Sequence, residues 1–188
     1  MVYRLTNKLF KIIKKKPPTD LYEEPNPFLD WAADHFIFGG HRYIIVSNCA
    51  TLLCWAYSAK GVNSSKKFAE STAESIKECM EFYEFDEQWE RFIAPSIDEV
   101  HFRKVGDPKM SGNLTDFVRT AKLQLHLCPG ISTQEISRRQ NEVPQLKRKE
   151  INPIEAFIKQ ASPKMNIPTV GGVPTLLPAP APHRQEPK

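Results

Sequence analysis

The longest apolar stretch of the chain, Phe36 to Ala59 (FIFGGHRYIIVSNCATLLCWAYSA), is rich in β-branched and aromatic residues and reads as the core of a sheet. Within it Gly39-Gly40 separates Phe36-Ile37-Phe38 from Tyr43-Ile44-Ile45-Val46. That is the spacing of a tight hairpin whose turn needs positive φ, which glycine adopts at little steric cost. The second apolar run is too long for one ordinary strand of about 5–6 residues, and Ser47-Asn48 offers a bend. Strands are therefore predicted near 34–38, 42–47 and 51–57. A membrane span is the rival interpretation, but residues 43–58 fall short of the roughly 20 apolar residues a bilayer requires and contain Ser47, Asn48 and Thr51. No membrane partner is expected.

Around this core the period changes. Val2 to Arg4 suits a short edge strand, and Thr6 is placed to cap a helix over 6–15 with Leu5, Leu9, Ile12 and Ile13 on one side. Pro17-Pro18 stops it, because proline donates no hydrogen bond and restricts the residue before it. Residues 19–29 are acidic and proline-bearing, an extended crossing anchored by burial of Trp31. Ser64 or Ser65 caps the clearest helix, over 65–83, with Phe68, Ala69, Thr72, Ala73, Ile76, Met80 and Tyr83 at spacings of three and four. A short helix from Asp86 holds Trp89, Phe92 and Ile93 and stops before Pro95, and Glu99 to Val105 alternates like a half-exposed strand at or near an edge. Gly106 to Gly112 reads as a loop. From Asn113, with Asp116 three residues on as in a capping box, Leu114, Phe117, Val118, Ala121 and Leu125 return to helical period over 114–127. The fold class that follows is α+β: a small, largely antiparallel sheet with helices packed mostly on one face, and a flexible proline-rich tail.

Composition adds a boundary. Of 16 prolines, nine fall after residue 129, and charge divides at the same place: +6 over residues 1–16, −6 over 17–129 and +4 over 130–188. The expected organisation is a folded domain at 1–129, a basic arm with short helices at 130–160 and a disordered tail at 161–188. The cysteines Cys49, Cys54, Cys79 and Cys128 form no CxxC pair, the histidines stand at no zinc-ligand spacing from them, and no secretory signal precedes them. A reducing cytoplasm is the expected compartment, with neither metal nor cofactor.

NPFLDW before the hairpin, then YIIVSNCATLL, then SGNLTDF together resemble a bacterial family of small proteins known as a domain of unknown function, over residues 1–128. Where members tend to carry Gly-Ser-Met-Asn-Asp, this chain has Gly112, Asn113, Leu114, Thr115 and Asp116, so the first and last positions match. The resemblance implies a shared fold and a common role for Trp31, Gly112 and Asp116, and no particular mechanism.

Three functions compete. A second capping box at Ser132 to Glu135 opens a short helix, and Asn152-Pro153-Ile154-Glu155 is a strong helix start followed by Ile154, Phe157 and Ile158 at i, i+3 and i+4. Eight or nine residues do not hold a helix alone, so this stripe either docks on its own domain or enters a groove on another protein. The favoured expectation is a non-enzymatic interaction module that binds a protein partner through Ile154, Phe157 and Ile158. The alternative is nucleic-acid binding through the basic ends, at Lys14, Lys15, Lys16, Arg138, Arg139, Lys147, Arg148 and Lys149. A third is a metal-assisted hydrolase in which Asp30, His35 and His41 converge across the hairpin. No catalytic motif is present to single out a catalytic residue.

Overall fold

In a computed structural model of the chain, residues 1–18, 22–144 and 152–162 are described. Among these residues the sheet has five strands, β1 (Val2–Leu5), β2 (Asp30–Phe38), β3 (His41–Asn48), β4 (Cys54–Ser58) and β5 (His101–Lys104), in the order β4-β3-β2-β1-β5. The helices are α1 (Asn7–Ile12), α2 (Ser65–Phe82), a single turn α3 (Asp86–Gln88), α4 (Pro108–Leu127), α5 (Thr133–Glu142) and α6 (Pro153–Ala161). The α+β class holds, but the sheet is mixed: β2, β3 and β4 are antiparallel, whereas β1 runs parallel to both β2 and β5. The first strand is therefore interior rather than an edge, and β5 is the edge beside it.

The hairpin forms where expected, with Gly39 and Gly40 at φ 56° and 77°. The bend after β3 is built by Asn48, whose side-chain oxygen accepts from the amides of Ala50 and Thr51 and from the Thr51 hydroxyl at 3.0–3.1 Å. This Asx-type turn delays β4 to Cys54. β2 begins four residues earlier than the expected 34, because Trp31 and Ala33 line one face of the sheet and Ala32 the other. Trp31 is fully buried and donates its indole N–H to the Phe28 carbonyl at 2.8 Å, which fixes the end of the acidic crossing.

Side chains alternate across the strands. One face presents Tyr3, Leu5, Trp31, Ala33, Ile44, Val46, Trp55 and Tyr57 to α1, α2 and the helical segment after α3. The other presents Ala32, Ile45, Cys54 and Ala56 to Met110, Leu114 and Phe117 of α4, with Phe36 meeting Ala121 and Ile136 beyond. Helices thus cover both faces, not mostly one, since a sheet apolar on both sides must bury both.

Two further observations concern the C-terminal half. α4 starts at Pro108, with Asp107 as its cap accepting from the Lys109 amide at 2.9 Å, so Gly112 and Asn113 are helix interior rather than loop and cap. Packing also does not stop at residue 129. Ile136 and Phe157 are both fully buried, and Phe157 lies edge-on to Phe28 and stacked on Phe85 with centroids 5.4 and 4.9 Å apart.

The way α5 sits on the sheet is specific. β4 is an edge strand, and its outward backbone groups meet side chains instead of another strand. Asn141 accepts from the Cys54 amide and donates to the Cys54 carbonyl, both at 2.8 Å, while the Ser137 hydroxyl accepts from the Ala56 amide at 2.8 Å. An exposed edge templates unwanted pairing, and here α5 closes it.

Candidate binding site between the β3–β4 turn and helices α4 and α5

A cavity of about 950 Å³ opens between the turn after β3, the N-terminal half of α4 and the C-terminal end of α5. Its floor is apolar: Leu52, Met110 and Phe117 are each buried, and Val143 adds an apolar rim that is half exposed. Gln140 is held from both sides at the back, donating to the Phe117 carbonyl at 3.2 Å with its oxygen 3.6 Å from the Cys54 sulfur. At the mouth Asp116 and Arg119 pair at 3.1 Å one turn apart, and Lys109 projects from the first turn of α4.

Gly112 lines this cavity inside α4. A mid-helix glycine costs about 1 kcal/mol relative to alanine, and an added Cβ here would meet no atom within 4 Å. Its φ is not positive. Among the described residues neither packing nor backbone conformation demands glycine here, and the space above it is clear on the cavity side.

Cys49 is the thiol on the lining. Burial, together with the negative charge of Asp30, pushes it well above the ordinary thiol range, so it is a neutral group and not a thiolate nucleophile. Asp30 itself is held by Arg4, whose Nε lies 2.7 and 3.0 Å from the two carboxylate oxygens. The cavity therefore offers shape, apolar contact and a polar rim.

The residues expected to act together are placed as follows. His35 pairs with Ile44 and His41 with Phe38, which puts the two histidines on opposite faces of the sheet. The hairpin does not make them converge, and Asp30 is engaged by Arg4 at the far end of β2. Among the described residues no group of three or more His, Cys, Asp or Glu is placed to hold a metal ion. Arg138 bonds to Glu135 and Glu142 at 2.6–2.8 Å and Arg139 to Glu135 at 2.7 Å, so the charge of this basic pair is compensated within α5. Lys14, Lys15 and Lys16 are exposed, with the Lys15 amine 5.0 Å above the Phe102 ring. Lys147, Arg148 and Lys149 lie outside the described residues, as does the tail from 163. Of the apolar stripe on α6, Phe157 is in the core, Ile154 packs partly against it and Ile158 is 48% exposed.

The cavity was missed in the sequence because its walls come from segments about 60 and 90 residues apart. One local signal existed: Asp107-Pro108 is a cap followed by proline at the first helical position, which places Gly112 in a helix where it needs a reason. Among the described residues no helix is long and apolar enough to cross a membrane. No curated protein matches the chain. A family model described as a domain of unknown function, DUF6933, matches residues 2–156, and the chain belongs to that family.

Proposed function

We propose that this protein is a recognition module rather than an enzyme, and that its ligand seats in the cavity between α4 and α5. The observation that carries this is Gly112: a glycine that weakens a 20-residue helix and fronts open space. The apolar floor of Leu52, Met110 and Phe117 with Lys109 and the Asp116–Arg119 pair at the mouth suits a compact ligand with an apolar body and a polar end. The neutral Cys49 thiol supports binding over reaction. A reducing cytoplasm remains the proposed compartment, in keeping with four free cysteines.

Anilinonaphthalene sulfonate, an aromatic body with one anionic group, is a direct probe. The native protein should give a saturable, one-site fluorescence enhancement that Gly112→Leu abolishes, while Leu123→Ala at an exposed position of α4 leaves it intact. Gly112→Ala, which adds only a methyl group in free space, should raise stability by about 1 kcal/mol in urea unfolding. Equal dye binding by the native and Gly112→Leu proteins, both folded by circular dichroism, would remove the cavity as the site.

A further inference from the structure

An open stretch of sheet edge lies on the other side of α4. β1 pairs with β2 only as far as Leu5 opposite Ala33, after which the chain turns into α1, and the last backbone-to-backbone bond is the Thr6 amide donating to the Ala33 carbonyl at 3.2 Å. β2 continues to Phe38. Its residues from 34 onward are paired with β3 on one side and, among the described residues, have no strand on the other.

Which backbone groups point to that open side follows from two bonds. The Asp30 carbonyl accepts from the Cys49 amide on the β3 side, and the Ala33 carbonyl faces β1. Because the direction alternates along a strand, His35 and Ile37 direct their amides and carbonyls to the open edge. The His35 amide donates to the Asp34 carboxylate at 2.8 Å, and the same carboxylate accepts from the Thr6 hydroxyl at 2.5 Å. The His35 carbonyl and the Ile37 amide are left without a partner among the described residues. A carbonyl and the next amide on the same edge are the pair that a parallel strand satisfies with both backbone groups of one residue, the pattern β1 begins.

The surroundings say what kind of strand fits. A cavity of about 320 Å³ lies along this edge, lined by Asp34, His35, Phe36 and Ile37 with Lys8 of α1 on one side and Val118 and Lys122 of α4 on the other. Ile37 is 56% exposed, the apolar side chain that a covering strand would shield. Lys8 and Lys122 are exposed and make no ion pair among the described residues, and Arg42 stands opposite Ile37 in β3. Asp34, the carboxylate on this lining, is occupied by Thr6 and by the His35 amide. An added strand projects successive side chains to opposite faces, so one acidic residue meets Lys8 and its neighbour meets Lys122.

We propose that residues 34–38 of β2 are a strand-addition site for an extended, acidic segment of a partner protein. Such binding takes affinity from main-chain bonds and selectivity from the flanking side chains. This site is separate from the α4–α5 cavity and does not depend on it. The bland account of the same lysines is that they guard a short edge against aggregation, and the experiment separates the two.

A displayed library of random seven-residue peptides is panned on the full-length protein, and enriched peptides are measured by fluorescence anisotropy. The expected result is an acidic consensus whose affinity falls at least tenfold on Lys8→Glu/Lys122→Glu and is unchanged on Gly112→Leu. Hydrogen exchange at the Ile37 amide should slow in the complex. The proposal is overturned by no enrichment, by peptides without acidic bias, by equal binding to the charge-reversed variant, or by binding that leaves the Ile37 amide unprotected.

Discussion

Two buried tyrosines show how a hydroxyl's surroundings set its worth. Tyr57 shares a hydrogen bond of 2.7 Å with Thr72, whereas the hydroxyl of Tyr3, which is also buried, has no hydrogen-bond partner among the described residues. Tyr57→Phe strands the Thr72 hydroxyl and should cost about 1–2 kcal/mol, while Tyr3→Phe should be neutral or stabilising by up to about 1 kcal/mol, both read from chemical denaturation. His35 gives a pH signature. Burial is the largest influence on it and lowers its pKa below the ordinary 6.5, against an opposing pull from Asp34 and with help from Arg42, Lys8 and Lys122. The unfolded chain then takes up a proton at a higher pH than the folded one. The stability contributed by the neutral ring is complete above pH 6.5 and is lost as pH falls toward the folded value. Melting temperature should drop over that window in the native protein, and His35→Gln should flatten that part of the profile.

Among the elements, α5 is held to the sheet by polar contacts. Asn141 satisfies the Cys54 amide and carbonyl and bonds to the Tyr83 hydroxyl at 3.0 Å, so Asn141→Ala leaves buried backbone groups unpaired. The expected loss is about 3 kcal/mol by urea unfolding, against about 1–2 kcal/mol for Ser137→Ala, which strands one amide. This is also where local pattern was least informative. Caps at Thr6, Ser64, Ser132 and Asn152 were legible because each is settled within three residues, and all four bond the amide three residues on. In α5, by contrast, Ile136 is the one apolar side chain buried, and Ser137, Gln140 and Asn141 read as solvent-facing polar positions. Nothing local reveals that they substitute for a neighbouring strand. The apolar period over 114–127 begins six residues after α4 does, because the first turns of α4, from Pro108 to Asn113, hold polar residues and Gly112 and bury only Met110.

At the scale of the molecule, the segments after residue 129 complete the core. Phe157→Ala should cost about 3–5 kcal/mol by removing a ring packed between Phe28 and Phe85, whereas Ile158→Asp at a half-exposed position should change stability by less than about 0.5 kcal/mol. A chain cut at Pro129 should melt well below the full one for the same reason. The individual strands were visible from alternation, yet their order was not, because pairing of β1 with residues 30–33 and 101–104 is decided far from β1 itself. That order also fixes a sequence of events during synthesis. The strand translated first sits between two partners, the second of which emerges about 100 residues later, so its edge waits uncovered on the ribosome while the β2–β3–β4 meander is already able to form. Slow codons or pauses before residue 101 would lengthen the wait of that unpaired edge, the kind of exposed strand that invites aggregation during folding.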